Sequence, residues 1–257
     1  MAGTVLVTGG SSGIGFALAK RFARDGHHLV LVARDVDRLV HAADELATFG
    51  EQPTCIASDL SRPEAPEALA RRLRDAGRTV DVLVNNAGFG LHGAFMDTDL
   101  ELLLDLLRVN VMALTSLTRL FLPDMRERGH GHVLNVASTA AFFPGPFMAT
   151  YYASKAYVLS LSEALANELR GTGVRVTALC PPATATGFAS RAGAQGSRLF
   201  RSGAMDVDTV ADAGYRGMRA GRTVVVPGLS ARLSTFGARL APRSVLAKVV
   251  RGMHATS

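Results

Sequence analysis

The chain has 257 residues, 48% of them hydrophobic and 19% charged, so it can build one large core, and a single domain over 1–257 is predicted. Its 28 Lys and Arg residues give a net charge of +6 but are spread rather than clustered, so we expect no nucleic-acid partner. Apolar stretches are interrupted too early to span a bilayer, and no signal segment is visible. Cys55 and Cys180 lie in apolar runs, which favours free thiols and a cytoplasmic location.

Short β-branched runs alternate with longer amphipathic runs from the first residues onward, a pattern typical of repeated βα units around a parallel sheet. Nearly continuous apolar runs such as HLVLV and VDVLV favour strands that are covered by helices on both faces. The predicted strands are 4–8, 28–33, 53–58, 80–84, 132–137, 174–180 and 223–227. The predicted helices are 14–25, 36–48, 64–76, 98–127, 150–170 and 207–219.

Three of the longer segments carry additional expectations. The 98–127 helix is apolar nearly all round, which predicts deep burial, and together with 150–170 it favours a homo-oligomer, a dimer or tetramer. Residues 184–206 are irregular and rich in Gly, Ala, Ser and Arg, so we predict a substrate lid, with a disordered segment as the alternative. Residues 229–257 are predicted to form a basic C-terminal tail.

The first predicted strand runs directly into GSSGIG, which places Gly9, Gly13 and Gly15 on the turn that opens a helix. Glycines permit a tight turn, and the free N–H groups of the helix can bind a pyrophosphate. The spacing is G-x-x-x-G-x-G rather than the general G-x-G-x-x-G fingerprint, so a purely structural turn stays open. We predict an α/β fold, a Rossmann-type doubly wound parallel sheet of about seven strands with helices on both faces.

The second strand ends in VLVARD, where a dinucleotide fold contacts the adenosine ribose, commonly through an acidic residue. Ala33 occupies that position here, and Arg34 follows as a cation suited to a 2′-phosphate. This favours NADP(H). The alternative is that Arg34 is a surface residue and that Asp35 contacts the ribose.

With YYASK and NNAG added, residues 4–228 resemble the short-chain dehydrogenase/reductase family of the compact single-domain type. TGGSSGIG matches the cofactor loop of that family, Asp59 with Leu60 its adenine-side pair, and NNAG its fourth-strand motif. NNAGFGLHGAF and VPG resemble a bacterial subgroup of broadly described oxidoreductases, which does not fix a substrate. The resemblance implies the catalytic residues Asn110, Ser138, Tyr151 and Lys155. The cofactor-binding residues implied by the motifs and the resemblance are Gly9, Ser11, Ser12, Gly13, Ile14, Gly15, Arg34, Asp59, Leu60, Asn86, Ala87, Gly88, Tyr151, Lys155, Pro181, Ala183, Thr184 and Thr186.

The residues themselves indicate the chemistry. A tyrosine titrates near ~10, so it needs a nearby cation to stabilise its phenolate at neutral pH. Lys155 stands four residues after Tyr151, on the same helix face. Ser138 ends the fifth strand, where its hydroxyl can donate to a substrate oxygen. The resemblance further implies that Lys155 holds the nicotinamide ribose and that Asn110 holds a water that relays protons. Structural roles in the core, in a turn and inside a helix are the alternatives for Tyr151, Ser138 and Asn110.

The segment CPPATATGF departs from the family pattern, because Pro182 replaces a glycine while Pro181 and Thr186 match. A proline fixes φ and removes an N–H group. We expect a stiffened loop whose residues from Ala183 to Thr186 still reach the nicotinamide carboxamide; a harmless substitution is the alternative.

Four aromatic residues flank the catalytic positions and suggest an apolar substrate pocket, with core packing as the alternative. They are Phe142, Phe143, Phe147 and Phe188. His92 has no paired carboxylate or metal-ligand spacing and is interpreted as pocket wall or solvent-facing.

Taken together, the sequence predicts an NADP(H)-dependent oxidoreductase that transfers a hydride between the nicotinamide and a carbonyl or alcohol, above all a ketone reductase. Its substrate is predicted to be a small molecule, and the aromatic residues suggest that this molecule is lipophilic. Two alternatives stay open. One is a discrete ketoreductase acting on acyl chains bound to a carrier protein, and the other is a non-catalytic NADP(H) sensor.

Overall fold

The computed structural model describes residues 3–194 and 203–254. Seven strands form one sheet in the order β3-β2-β1-β4-β5-β6-β7, and every neighbouring pair is parallel. The prediction of a doubly wound parallel sheet is therefore confirmed. The strands are β1 Thr4–Thr8, β2 His28–Ala33, β3 Thr54–Ala57, β4 Val82–Asn85, β5 Gly131–Val136, β6 Val174–Leu179 and β7 Val224–Val225.

The helices within the described residues follow the predicted alternation with the strands. They are α1 Gly13–Arg24, α2 Val36–Ala47, α3 Ala65–Asp75, α4 Leu100–Leu107, α5 Leu114–Glu127, α6 Ala149–Glu168, α7 Phe188–Arg191, α8 Val207–Arg219, α9 Leu229–Leu240 and α10 Arg243–His254. None of the helices within 3–194 and 203–254 combines the length and apolarity that crossing a bilayer requires.

Strand β2 shows why these strands are apolar along their whole length. Successive residues of a strand point to opposite faces of the sheet. Leu29 and Leu31 join the core under α1, α2 and α8, whereas Val30 and Val32 join the core under α3 and α5. Both faces are dry, so neither set of positions can be polar.

The strand order places a switch point between β1 and β4. From β1 the chain builds outward through β2 and β3, and it then returns to β4 and builds in the other direction. The loops that leave β1 and β4 therefore turn to opposite faces of the sheet. A crevice opens between them at the carboxyl ends of the strands, the usual ligand position in such folds.

The predicted 98–127 helix is not one regular helix. Asp99 caps α4 by accepting a hydrogen bond from the Leu102 amide, and a π-helical turn at Arg108–Ala113 then separates α4 from α5. Leu100 and Met112 are exposed in the single chain, so this face is not buried within the chain itself, and its burial against a second copy stays a prediction. Such π-helical turns are frequent at functional sites, and this one contains Asn110.

The expectation of a basic tail after Gly228 is wrong over 229–254, because these residues form α9 and α10. Part of the predicted lid, residues 195–202, lies outside the described residues. Within the rest, Phe188–Arg191 forms one helical turn, and Thr184 pairs with Met205 in an isolated parallel bridge. The single domain and the role of 184–206 as a lid stay predictions.

The central strands supply the first testable prediction. Leu83 of β4 is 0% exposed. Leu83→Ala should lower the free energy of unfolding by about 2–5 kcal/mol, because the cavity left between sheet and helices cannot fully collapse. Leu229→Ala removes the same atoms at a site that is 71% exposed and should change it by less than about 0.5 kcal/mol. Urea unfolding followed by circular dichroism measures both; equal losses would contradict the assigned burial.

Candidate active site

A cavity of about 910 Å³ occupies the crevice at the carboxyl ends of the strands. All the predicted site residues except Gly15 and Asn110 line it. The volume lies in the range of pockets that bind small molecules and cofactors. Residues that are far apart in the sequence therefore share one site.

The loops that end β1 and β4 are held together by reciprocal hydrogen bonds. Nδ2 of Asn86 donates to the carbonyl oxygens of Thr8 and Gly9, each at 3.0 Å. Oγ1 of Thr8 accepts from the backbone N–H groups of Asn86 and Ala87, again at 3.0 Å each. These four bonds determine where the glycine turn lies relative to the NNAG motif.

The three glycines of the first turn have different physical roles. Gly9 and Gly13 have φ angles of 64° and 56°, a left-handed conformation that only glycine adopts without strain. A Cβ on Gly15 would lie 2.3 Å from Nδ2 of Asn86 and 2.4 Å from the carbonyl oxygen of Gly9. Gly15 is thus required by packing behind the turn, which explains why it does not line the cavity.

Positive charge collects where the end of β2 meets the loop after β6. Arg34 and Arg38 line the cavity from the β2 side, and Arg191 of α7 lines it from the opposite side. Burial lowers the pKa of Arg191, and the charges of Arg38 and Arg34 lower it further. Arg38 pairs with Asp35 at 3.5 Å, whereas neither of the other two arginines takes part in an ion pair with the described residues. This corner can accommodate an anionic group.

Asp59 lies on the same side of the cavity and is held as a carboxylate. Burial by itself would raise its pKa, but the hydrogen bonds from the backbone and hydroxyl of Ser61, with the charges of Arg34 and Arg62, lower it. A fixed carboxylate can accept hydrogen bonds from a ligand's amino or hydroxyl groups.

Ser138, Tyr151 and Lys155 meet at the other end of the cavity. The hydroxyl of Tyr151 is hydrogen-bonded to Ser138. Oγ of Ser138 also accepts from the amide of Ala140 at 3.1 Å. Nζ of Lys155 donates to the carbonyl oxygen of Val136 at 2.8 Å and lies 5.8 Å from the centre of the Tyr151 ring. The i, i+4 spacing on α6 thus places both ionisable groups beside one end of β5, as expected.

Burial controls the ionisation of this pair. It raises the pKa of Tyr151 to about 12, and the hydrogen bond with Ser138 opposes this rise only in part. It also lowers the pKa of Lys155 to about 8. Desolvation of the phenolate therefore dominates, and the lowering of the tyrosine pKa expected from the ammonium is not seen. At neutral pH Tyr151 is a phenol and can act as a proton donor.

Asn110 lies behind the cavity wall and not on it, with a side chain that is 1% exposed. Its Oδ1 accepts from the Phe89 amide at 3.1 Å, while Nδ2 donates to the Phe89 carbonyl at 2.9 Å and to Oγ of Ser154 at 3.1 Å. The side chain thus fixes the loop after β4. A Cβ on Gly88 would lie 2.9 Å from Oδ1 of Asn110, so glycine is needed there.

Comparison with known sequences decides the family. Residues 3–196 match the family model of the short chain dehydrogenases. The chain belongs to the short chain dehydrogenase family. The 1-deoxy-11-beta-hydroxypentalenate dehydrogenase of Streptomyces exfoliatus is 42% identical over 179 residues, which cover 68% of this chain and 65% of that protein. The NADP-dependent 3-hydroxy acid dehydrogenase YdfG of Salmonella typhi is 38% identical over 182 residues, covering 69% of this chain and 71% of that protein.

The chain spans 64%, 65% and 58% of the length of three curated relatives that it matches. Among solved structures, a short-chain dehydrogenase of Sphingobium yanoikuyae in complex with NADPH is 39% identical with a TM-score of 0.82, covering 93% of this chain and 94% of that one. The bulky-bulky ketone specific alcohol dehydrogenase of Comamonas testosteroni is 32% identical with a TM-score of 0.78, covering 99% and 97%. These structures share the fold over nearly the whole chain.

The loop after β6 carries Pro182, the position at which the sequence departs from the expected family pattern. The Ala183 carbonyl accepts from the Met205 amide and the Met205 carbonyl accepts from the Ala185 amide, both at 2.8 Å. Oγ1 of Thr184 donates to the Pro182 carbonyl at 2.8 Å. The loop is thus restrained on both sides of residue 184. Whether Ala183 to Thr186 reach a carboxamide stays a prediction.

The four aromatic residues named from the sequence do not share one role. Phe143 and Phe188 line the cavity together with Phe89. Phe142 lies 5.8 Å from the guanidinium of Arg239, and Phe147 lies 5.7 Å from that of Arg251, so these two pack against α9 and α10 instead. The aromatic lining predicted from the sequence is therefore confirmed for two positions only.

Sequence reasoning missed several cavity residues. Arg38 lies in the first turn of α2, directly after the end of β2, a position that could have revealed it. Arg191 carried no comparable signal, because only the path of the loop brings α7 to the β2 side. Residues of α9 and α10 were missed because 229–257 was interpreted as a tail. Those lining the cavity are Ser230, Ala231, Ser234, Val249, Val250 and Met253.

His92 neither lines the cavity nor faces open solvent. Its Nε2 lies 3.1 Å from the carbonyl oxygen of His254, at the end of α10. Nε2 of His254 is in turn 2.7 Å from the hydroxyl of Tyr152, and its Nδ1 is buried without a hydrogen-bond partner among the described residues. This cluster attaches α10 beside the reacting end of the cavity.

The cluster predicts a loss of stability in acid. Burial, together with the charge of His92, lowers the pKa of His254 from 6.5 to about 4. The unfolded state then binds more protons between pH 4 and 6.5, so the free energy of unfolding should rise with pH across that window and fall on acidification. The His254 contribution to this fall is at most about 3 kcal/mol.

Urea unfolding at pH 4, 5 and 6.5 measures this contribution. His254→Gln should flatten the pH dependence, because the amide keeps polar atoms near Tyr152 but does not titrate. His41→Gln changes an exposed histidine of α2 and should leave the slope as in the unmodified protein. The same slope in all three proteins would contradict the role of His254.

Proposed function

We propose that this short chain dehydrogenase is an NADP(H)-dependent oxidoreductase that reduces a ketone to a secondary alcohol. One observation carries the proposal. Ser138 with its partner Tyr151 lies at the end of β5, the cationic corner of Arg34, Arg38 and Arg191 lies at the end of β2, and the glycine turn follows β1 between those strands; all of them line one cavity. That order matches the order of groups along a nicotinamide dinucleotide phosphate.

The residues present fit such a cofactor. The left-handed glycines and the start of α1 would hold the pyrophosphate, Asp59 and Leu60 the adenine, and the arginines the 2′-phosphate. Three convergent guanidinium groups, two of them outside any ion pair of the described residues, favour NADP(H) over NAD(H). Thr184 and Thr186 also line the cavity and would contact the nicotinamide.

When bound, NADPH supplies the hydride that the carbonyl carbon accepts. Ser138 orients the substrate by donating a hydrogen bond to its carbonyl oxygen. As negative charge develops on that oxygen, the Tyr151 hydroxyl transfers its proton there, which completes the alcohol and leaves a phenolate. The ammonium of Lys155 stabilises this phenolate until a proton from solvent restores the phenol. Asn110 has a positioning role, because its side-chain amide is hydrogen-bonded to the backbone of Phe89 and so fixes that part of the cavity wall.

The substrate end of the cavity is apolar. Phe89, Phe143, Met148, Phe188 and Met253 line it. This favours a lipophilic ketone, and the ketone specificity stated for the Comamonas testosteroni relative supports the class. The two free cysteines support a cytoplasmic location. No described residue favours a carrier-bound substrate or a sensor without turnover.

We also propose that the protein is a homo-oligomer. Leu100, Leu102 and Met112 are exposed along α4 and the π-helical turn. Tyr157 of α6 is also exposed, and its hydroxyl lies 3.0 Å from Oγ1 of Thr115 at the start of α5. Apolar side chains on two neighbouring helices suit an interface with a second copy. Light scattering coupled to size-exclusion chromatography tests this, and a monomer at micromolar concentration would overturn it.

The mechanism predicts that Tyr151→Phe lowers turnover by roughly 10² to 10⁴, because only the transferred proton is removed. NADPH affinity should stay unchanged. Turnover is followed at the NADPH absorbance with a panel of ketones, and affinity by NADPH fluorescence. Tyr157→Phe, at an exposed position of the same helix, is the matched control and should keep turnover within a few-fold. Tyr151→Phe turnover within a few-fold of the unmodified protein would overturn the assignment.

The cationic corner predicts cofactor selectivity. Arg34→Leu and Arg191→Leu should each weaken NADPH binding about ten-fold or more, because both guanidinium groups would contact the 2′-phosphate, which NADH lacks. NADH affinity should hardly change. Arg74→Leu, at an exposed position of α3, is the control. Dissociation constants for both cofactors measure the effect, and equal losses for the two cofactors would mean that the corner does not bind that phosphate.

A further inference from the structure

Helix α9 buries its small residues and exposes its large apolar ones, which is the reverse of the usual amphipathic pattern. Ala231, Thr235 and Ala238 are buried against the protein. The large apolar residues point outward: Leu229, Leu233, Phe236 and Leu240 are 71%, 64%, 63% and 76% exposed. At 3.6 residues per turn these four lie within about 60° of arc, as one continuous stripe. A helix that only covers the core buries such residues instead.

Helix α10 extends the same surface. Val245, Val249 and Met253 recur at four-residue spacing and are exposed, while Leu246, Val250 and His254 face the protein. We call the two exposed rows on α9 and α10 the apolar ridge. No described residue covers the ridge.

The charge around the apolar ridge is of one sign. The last acidic residue of the chain is Asp212, so 228–254 contains no Asp or Glu. The same segment contains five cations, all exposed: Arg232, Arg239, Arg243, Lys248 and Arg251. None of the ion pairs among the described residues includes them. Arg232 and Arg239 lie on the same flank of the α9 stripe, within about 20° of each other.

From these observations we propose that the apolar ridge and its flanking cations form a docking surface for an anionic lipid membrane. Exposed leucine and phenylalanine on one helix face, bordered by arginine and lysine, is the pattern of helices that lie in the plane of a membrane interface. The apolar side chains enter the acyl boundary, and the cations contact anionic headgroups. A second copy is the less suitable occupant, since a two-fold contact would bring five cations against five.

The ridge borders the cavity. Val249 and Met253 of the ridge themselves line the cavity, and Ser230 and Ser234 of α9 line it beside them. Docking would therefore hold this cavity wall at the lipid surface, where a lipophilic ketone collects. This consequence rests on the proposed function, whereas membrane docking itself does not.

Sedimentation with lipid vesicles tests the docking surface in the full chain. The protein should sediment with vesicles of phosphatidylcholine and phosphatidylglycerol, less with phosphatidylcholine alone, and less again in high salt. Leu233→Glu with Phe236→Glu should lower the bound fraction about ten-fold or more. Val40→Glu with Met96→Glu adds the same charge at exposed apolar sites elsewhere and should bind as the unmodified protein does.

A second variant keeps the test independent of changes in α9. Arg243→Gln with Lys248→Gln should weaken binding to vesicles that contain phosphatidylglycerol and leave binding to phosphatidylcholine unchanged. Circular dichroism and turnover of a water-soluble ketone should match the unmodified protein in every variant. Vesicle binding without any turnover would reject the proposed function and leave the docking surface supported.

Two results would overturn the docking surface. One is a protein that stays in the supernatant with phosphatidylglycerol vesicles. The other is a Leu233→Glu, Phe236→Glu variant that binds vesicles as strongly as the unmodified chain. If that variant instead turns a dimer into a monomer and neither protein binds vesicles, the ridge is an interface between copies.

Discussion

The reciprocal hydrogen bonds between Thr8 and Asn86 join the two loops at which the strand order reverses. A parallel sheet leaves its carboxyl edge open at this point, and the loops on either side belong to helices on opposite faces. Without a link, the glycine turn and the NNAG segment could move independently. With it, the anion-binding start of α1 and the wall beside Asn110 keep a constant separation, and the cavity between them keeps its shape.

The second constraint is electrostatic. Burial raises the pKa of Tyr151 and lowers that of Lys155, so it favours the uncharged form of both side chains. For Tyr151 this is useful, because a ketone reductase needs a proton donor that is intact at neutral pH. For Lys155 it means that the ammonium form is less favoured than in water, although Nζ keeps a hydrogen bond to the Val136 carbonyl. One dry pocket thus sets the state of both residues.

The C-terminal helices connect the interior of the molecule with its surface. On their inner side Val250 lines the cavity and His254 contacts the Tyr152 hydroxyl, and on their outer side they carry an apolar ridge flanked by cations that join no ion pair of the described residues. The same two helices therefore bound the cavity and determine what the protein can contact. This arrangement accounts for the excess of basic residues in 228–254, which the sheet and the reacting residues do not require.

The sequence by itself determined the sheet, because each buried strand needs apolar residues on both faces. It also determined the turn after β1, because only glycine adopts a positive φ there without strain. It also determined the Tyr151 and Lys155 pair, since i, i+4 spacing on a helix is a local property. The tertiary structure alone decided that Arg191 faces Arg34, that Asn110 lies behind the wall, and that 229–254 folds back onto the site. These depend on contacts between residues far apart in the chain, and local periodicity carries no record of such contacts.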